Sequence, residues 1–235
     1  MKISEIFYSI QGEGMYTGHP SLFIRSYGCN YKCTYCDTPY AVVGGKFADM
    51  SVKQILKEVD DNNKDNDFNH IVITGGEPMI QSDIAELVDM LKSNGYIVTI
   101  ETNGTIFNND VKPNLWSISP KTLNSTNDKF TSFKSEEALS NYKDINNMFN
   151  IMYFINTSGN IQIKFVINDD DDLIEIKKFI NKYNIAKKYI YLMPQGKDIR
   201  EQKNNSLNVI NICKKEGYIF CPRLHIYLWG SKRGV

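Results

Sequence analysis

His70-Ile71-Val72-Ile73-Thr74-Gly75-Gly76-Glu77-Pro78 is the stretch whose reading decides the fold. The run from His70 to Thr74 is short and almost continuously apolar, which suits a strand buried on both faces of a parallel sheet. It ends at once in two glycines, an acid and a proline. A helical stripe follows from about Ser82, with Ile84, Leu87, Val88 and Leu91 on one side and Gly95 as its stop. Tyr96 to Ile100 then repeats the strand and ends in Glu101-Thr102-Asn103-Gly104. Two strand-helix units in succession predict a parallel sheet whose working edge lies at the carboxyl ends of its strands.

The rhythm continues on both sides. Upstream, Ser21 to Tyr27 alternates as a strand, Leu22 and Ile24 on one face and Phe23, Arg25 and Tyr27 on the other. Before it, Ile3 to Ile10 is a mixed apolar run ending in a tight turn, Gln11-Gly12-Glu13-Gly14. Ser51-Val52-Lys53-Gln54 has the form of a capping box opening a helix with Ile55, Leu56 and Val59 on its apolar stripe, and Asp60 to Asn69 reads as a solvated connection. Downstream, a short strand from Trp116 to Ile118 ends in Ser119-Pro120-Lys121. Strands are predicted at Ile161–Ile167 and Tyr189–Met193, the second ending in Pro194-Gln195-Gly196. Helices are predicted at Asp171–Tyr183 and Glu201–Glu216, and a last strand at Tyr218–Leu228. Residues 122–160, rich in Asn, Ser and Lys, read as an irregular insertion with a helical pattern at 135–142. One domain, 1–235, is expected.

Lys+Arg and Asp+Glu each number 27, so the formal net charge is zero and the basic excess of a nucleic-acid binder is missing. A small-molecule partner is expected instead. No apolar run is long enough to cross a bilayer, and Met1 to Glu5 lack the pattern of a secretory signal, which predicts a cytoplasmic protein without a membrane partner. Five cysteines, an odd number with three clustered, fit a reduced compartment. Cys213, in a helical pattern, and Cys221, in a strand pattern, read as small buried side chains.

The three clustered thiols lie in Gly28-Cys29-Asn30-Tyr31-Lys32-Cys33-Thr34-Tyr35-Cys36-Asp37-Thr38, separated by three and then two residues. Such a loop can wrap one face of a cubane, each thiolate on a different iron, leaving the fourth iron open to a small molecule. Tetrahedral zinc would want a fourth ligand; His19, His70 and His225 are isolated, and Cys213 and Cys221 form no Cys-x2-Cys hook. A zinc-stabilised binding module is therefore the weaker alternative.

The cysteine spacing, with Tyr35 directly before Cys36, resembles the cluster motif of the radical S-adenosylmethionine (SAM) enzymes. The resemblance implies an α/β fold, a partial TIM-type barrel of parallel strands with outer helices, with loop 28–38 at its mouth. It implies a [4Fe-4S] cluster on Cys29, Cys33 and Cys36 and SAM as cofactor, with Tyr35, Asp37, Gly75, Gly76, Glu77, Ser119, Pro120, Lys121 and Gln195 as cofactor-side residues. Glu77 reads equally well as a structural acceptor for neighbouring N–H groups. A glycyl-radical enzyme activase shares the cysteine spacing and the Gly-Gly-Glu-Pro element.

Gln11-Gly12-Glu13-Gly14, Phe23-Ile24-Arg25 running into the cysteines, Cys36-Asp37-Thr38 and Ser119-Pro120-Lys121 resemble the 7-carboxy-7-deazaguanine synthase family. That resemblance covers most of the chain outside the insertion. It implies conversion of 6-carboxy-5,6,7,8-tetrahydropterin to 7-carboxy-7-deazaguanine with loss of ammonia, a lyase step toward queuosine and related 7-deazapurines. Substrate contacts are implied at Ile10, Gln11, Gly12, Glu13, Arg25, Thr74 and His225, and Val235 is expected to reach the pterin. For His225, a satisfied structural histidine is the competing reading. Thr38 is implied as a Mg2+ contact. A homodimer and an electron donor such as flavodoxin or ferredoxin are also implied.

Overall fold

A computed structural model of the chain describes residues 1–121, 125 and 160–235. The insertion expected at 122–160, with its helix at 135–142, lies outside the described residues apart from 125 and 160. The strands are β1 (Lys2–Ile10), β2 (Pro20–Ser26), β3 (Ala48–Asp49), β4 (His70–Gly75), β5 (Ile97–Thr102), β6 (Leu115–Ile118), β7 (Ile161–Ile167), β8 (Ile190–Pro194) and β9 (Ile219–Phe220). They form one sheet in the order β3-β1-β2-β4-β5-β6-β7-β8-β9. From β2 to β9 every neighbour is parallel. The expected parallel sheet is present from β2 onward, and β1, whose direction the sequence left open, pairs antiparallel with both β2 and β3. Its connection to β2 spans only residues 11–19, too short for the crossover that a parallel pair demands. The two outer strands do not pair, and the sheet is an open, partial barrel.

Among the described residues the helices are α1 (Val52–Asp65), α2 (Ile84–Ser93), α3 (Asp170–Lys182), α4 (Ile199–Glu216) and α5 (Leu224–Trp229). The capping box at Ser51 is present, with Gln54 N–H donating to Ser51 Oγ (3.3 Å) and Ser51 N–H to Gln54 Oε1 (2.8 Å). The helix it opens runs through the expected connection as far as Asp65, where Asp61 pairs with Lys57 and, at 2.6 Å, with Lys64 on the solvent face. Gly95 follows α2 with φ of +86°, the left-handed stop its sequence position suggested. The last strand is also corrected: only Ile219–Phe220 pair, and Leu224–Trp229 form a helix. Cys221 N–H still donates to Leu192 O (2.9 Å), but Leu224 N–H donates to Gly12 O (2.9 Å), so the chain has left the sheet by Leu224.

Alternation of side chains divides the strands between two environments. Leu22, Ile24, Ile71, Ile73, Val98, Ile100, Ile163 and Phe165 face outward and join Ile55, Val59, Leu87, Leu91, Ile176 and Val209 of the helices in one apolar core. Burying each such side chain stabilises the fold by roughly 1.5–3 kcal/mol. The inward positions are instead largely polar, and they make the site.

Candidate active site

The loops after β2 and β4 are stitched together backbone to backbone. Gly76 N–H donates to Ser26 O (3.2 Å) and Glu77 N–H to Gly28 O (2.9 Å). The approach demands glycine: a Cβ on Gly76 would lie 2.0 Å from Gly28 O and 3.0 Å from the Cys29 Cβ. Glu77 is fully buried and accepts from Thr102 Oγ1 (2.7 Å), Asn103 N–H (2.8 Å) and Met79 N–H (3.0 Å). Burial pushes its carboxyl up despite those donors. Asn103 in turn donates to Asn30 Oδ1 (2.9 Å), tying the cysteine loop to the end of β5.

Cys29, Cys33 and Cys36 all line one cavity of about 550 Å³, beside Ser119 and Lys121. Lys121 donates to Ser119 Oγ at 3.0 Å. Burial pushes the Cys29 thiol up to about 11 and raises Cys33, with the Lys121 charge opposing both. Such thiols ionise when metal arrives, not before. Among the described residues no three His, Cys, Asp or Glu side chains converge on a single ion. A cubane does not ask for that convergence because each thiolate takes its own iron, whereas a tetrahedral zinc site does. Three adjacent cavity-facing thiols on one short loop therefore fit a cluster with an open iron.

The opposite end of the cavity is closed by the chain between β1 and β2. Because β1 is antiparallel, residues 11–19 lie at the amino ends of the parallel strands and form a floor under the barrel. Met15 N–H donates to Gln162 Oε1 (2.7 Å), and Gln162 Nε2 to Ser117 Oγ (2.8 Å). His70 is buried within 2.7 Å of Ser21 Oγ and 2.8 Å of Thr99 Oγ1, with the Tyr16 ring packed on it. Desolvation pushes its imidazole down to about 4. Leu224 N–H donates to Gly12 O (2.9 Å), and a Cβ on Gly12 would strike His225 Nδ1. The tight turn expected at 11–14 and the 223–225 segment are thus one packed unit.

Above the floor runs a chain of alternating charges. Lys164, 1% exposed, donates to Glu13 Oε2 (2.8 Å) and Glu101 Oε2 (2.7 Å). Gln11 Nε2 donates to Glu101 Oε1 (3.3 Å), and Arg223 donates to Glu13 Oε1 (3.2 Å), Gly196 O (2.9 Å) and Asp37 Oδ2. Burial works against ionising Glu13, yet the Lys164 and Arg223 charges hold its carboxyl well below the usual carboxylate range. His225, 3.9 Å from Glu13, is pushed down by burial. On the facing wall Arg25 donates through Nε to Glu5 Oε1 (2.7 Å), which also accepts from Tyr40 (2.8 Å), while Arg233 reaches Glu5 Oε2 (2.9 Å).

The cavity gathers Ile10, Gln11, Gly12, Glu13, Arg25, Tyr35, Asp37, Thr38, Thr74, Gly75, Gly76, His225 and Val235 in addition to the cysteines, Ser119 and Lys121. Glu77, Pro120 and Gln195 are not among its lining residues. Gln195 instead engages through its backbone, its N–H donating to Ile167 O and its carbonyl accepting from Asn205. Lys164, Arg223 and Glu5 went unmarked as site residues in the sequence. The sequence does carry a signal for Lys164: a lysine inside the apolar strand segment Ile161-Gln162-Ile163-Lys164-Phe165 needs partners of opposite charge once that strand is buried.

Comparison with known proteins agrees with this geometry. The family model of the Radical SAM superfamily matches residues 23–180. A 7-carboxy-7-deazaguanine synthase of Rhodopirellula baltica is 36% identical over 99% of this chain and 88% of its own length. One from Halobacterium salinarum is 34% identical over 98% and 91%. A crystal structure of QueE from Escherichia coli, 22% identical, shares the fold with a TM-score of 0.65 over 95% of this chain and 94% of that one. The chain belongs to the radical SAM superfamily and, within it, to the 7-carboxy-7-deazaguanine synthase family.

Proposed function

We propose that this lyase takes 6-carboxy-5,6,7,8-tetrahydropterin to 7-carboxy-7-deazaguanine with loss of ammonia, a step toward queuosine and related 7-deazapurines. The observation that carries the reading is the joining of two dissimilar regions in one cavity: cysteines at one end, a dense donor-acceptor floor at the other. Its volume of about 550 Å³ falls within the range of roughly 300–1,000 Å³ usual for small-molecule sites. When bound, the cluster and SAM supply a carbon-centred radical able to take a hydrogen atom from substrate.

The residues of this chain do the holding and shielding. Cys29, Cys33 and Cys36 would hold the cluster. Gly75 and Gly76 would bring backbone close to SAM, with Ser119 and Lys121 toward its polar groups and Tyr35 and Asp37 alongside. Gln11, Gly12, Glu13 and Thr74 would orient the pterin, and Arg25 would pair with its carboxylate, for which a planar guanidinium is well shaped. Thr38 would offer its hydroxyl to Mg2+, a cation that keeps waters and takes substrate oxygens for most of its shell. Residues 11–19 exclude water from below by filling the amino end of the barrel.

The same reading brings a small redox protein of the flavodoxin or ferredoxin class as electron donor, a homodimer and a cytoplasmic setting. The family supports the first two and the reduced-compartment cysteine pattern supports the third. No helix among the described residues is long and apolar enough to cross a membrane. The test is anaerobic reconstitution with iron and sulfide, then addition of SAM, dithionite, Mg2+ and the carboxy-tetrahydropterin. The deazaguanine product is expected. No product from a fully loaded cluster would overturn the substrate while leaving the superfamily standing.

A further inference from the structure

Lys164 stands on β7 between outward-facing Ile163 and Phe165, and its ammonium is closed in by charge from several elements. Glu13 of the floor turn lies at 2.8 Å and Glu101 of β5 at 2.7 Å, with the Cys221 thiol also in its field. Beyond Glu13 stand Arg223 and His225, Arg223 reaching on to Asp37, and Gln11 donates to Glu101. Two carboxylates that share one ammonium are necessarily near each other. Without the cation between them, and with Arg223 reaching only Glu13 of the two, the pair would take up one proton as pH falls from neutral, as in any closely spaced carboxylate dyad. A protonated carboxyl is a hydrogen-bond donor, whereas a carboxylate accepts only.

Glu13, Glu101 and Lys164 all line the cavity. We propose that Lys164 sets the donor-acceptor pattern of the cavity floor, holding Glu13 and Glu101 as two carboxylates. The floor thereby selects a heterocycle edge bearing amino and ring N–H donors over one bearing oxo groups. The proposal rests on the pterin reading above and adds a residue that acts on selectivity through its two neighbours.

The direction of the pH effect separates this role from a purely structural one. With Lys164 present, its ammonium bridges both acids at 2.8 and 2.7 Å, and affinity for an amino-bearing ring is expected to be flat across mildly acidic pH. With Lys164→Met, the pair takes up a proton as pH falls. Affinity for the amino-bearing ring then drops, by up to about tenfold per pH unit for a single linked proton. Affinity for an oxo-bearing ring rises over the same interval because the protonated acid can donate to it.

The experiment measures equilibrium binding of 6-carboxypterin and of 6-carboxylumazine, in which an oxo group replaces the 2-amino group, between pH 5.5 and 7. The protein is the cluster-loaded holoenzyme with SAM and Mg2+. Wild type and Lys164→Arg are expected to prefer the pterin by about tenfold or more with no slope, the cost of unmatched polar groups at a buried site. Lys164→Met is expected to lose that preference at the acid end. If it keeps wild-type preference and a flat profile, the proposal is wrong. Should Lys164→Met not fold, the charge-compensated double variant Lys164→Met with Glu101→Gln replaces it. That variant is expected to bind with no slope and with the preference lost, and a retained preference overturns the proposal. Wild type binding neither ring would overturn the pterin reading and this proposal with it, whereas wild type selecting the pterin with unchanged variants sinks Lys164 alone.

Discussion

Arg25 is held from behind by Glu5, its Nε donating to Glu5 Oε1 at 2.7 Å, so the η nitrogens remain for the cavity. The guanidinium also lies 5.5 Å from the Phe7 ring, itself stacked on Phe23. Glu5 is therefore an orienting group for a cavity-facing cation. Glu5→Gln is expected to raise the substrate KM by about tenfold, in keeping with about 1.5 kcal/mol for a hydrogen bond to a charged group. Iron content and kcat should stay near wild type. Arg233→Ala removes a half-exposed partner of the same acid, and its KM should move less than about threefold. Steady-state kinetics on loaded protein decide the matter, and an unchanged KM in Glu5→Gln would remove Glu5 from the site.

Gly76→Ala should be far more damaging than its size suggests. Its Cβ would fall 2.0 Å from Gly28 O, so the cysteine loop and the β4 loop must part. Overpacking of this kind costs about 1–3 kcal/mol. Iron per chain after reconstitution is expected to fall by at least half, with a lower Tm, because the loop carrying Cys29 loses its seat.

Glu77 offers a test of position against contact. Its two oxygens take three donors, and Gln in its place must turn an NH2 toward at least one of them. Glu77→Gln is expected to lose about 1–3 kcal/mol of stability through that clash. SAM affinity of the protein that does load iron should match wild type. A large loss of SAM affinity at unchanged stability would instead make Glu77 a cofactor ligand.

His70 ties stability to pH. Its imidazole is pushed from an ordinary value of 6.5 down to about 4 by burial, so the folded state prefers it neutral. Its contribution is full above pH 6.5, declines as pH falls, and is lost once pH passes below about 4. The magnitude is roughly 3 kcal/mol. Urea unfolding across that window should show a slope that His70→Gln flattens, and equal slopes in both proteins would contradict the assignment.

The strand-helix rhythm around His70–Pro78, the capping box at Ser51 and the three-cysteine loop are local signals, and each appears in the structure where its residues place it. They are legible because periodicity, caps and ligand spacing act over a few residues. The direction of β1 and the helix at Leu224–Trp229 were less legible, since one depends on strand pairing and the other on the chain leaving β8 to bond Leu224 to Gly12. The site divides in the same way. Cys29, Cys33 and Cys36 could be read as a cluster loop from spacing alone. Lys164, Glu101 and Glu13 are spread across 151 residues and become one ionic chain only when β5, β7 and the floor turn meet inside the barrel. The sequence by itself determined the parallel strands and the three-cysteine loop, because both are written in short-range pattern. Tertiary structure alone decided which charges face one another, because the energy of a buried ion pair depends on distance and burial, and neither is a property of neighbouring residues.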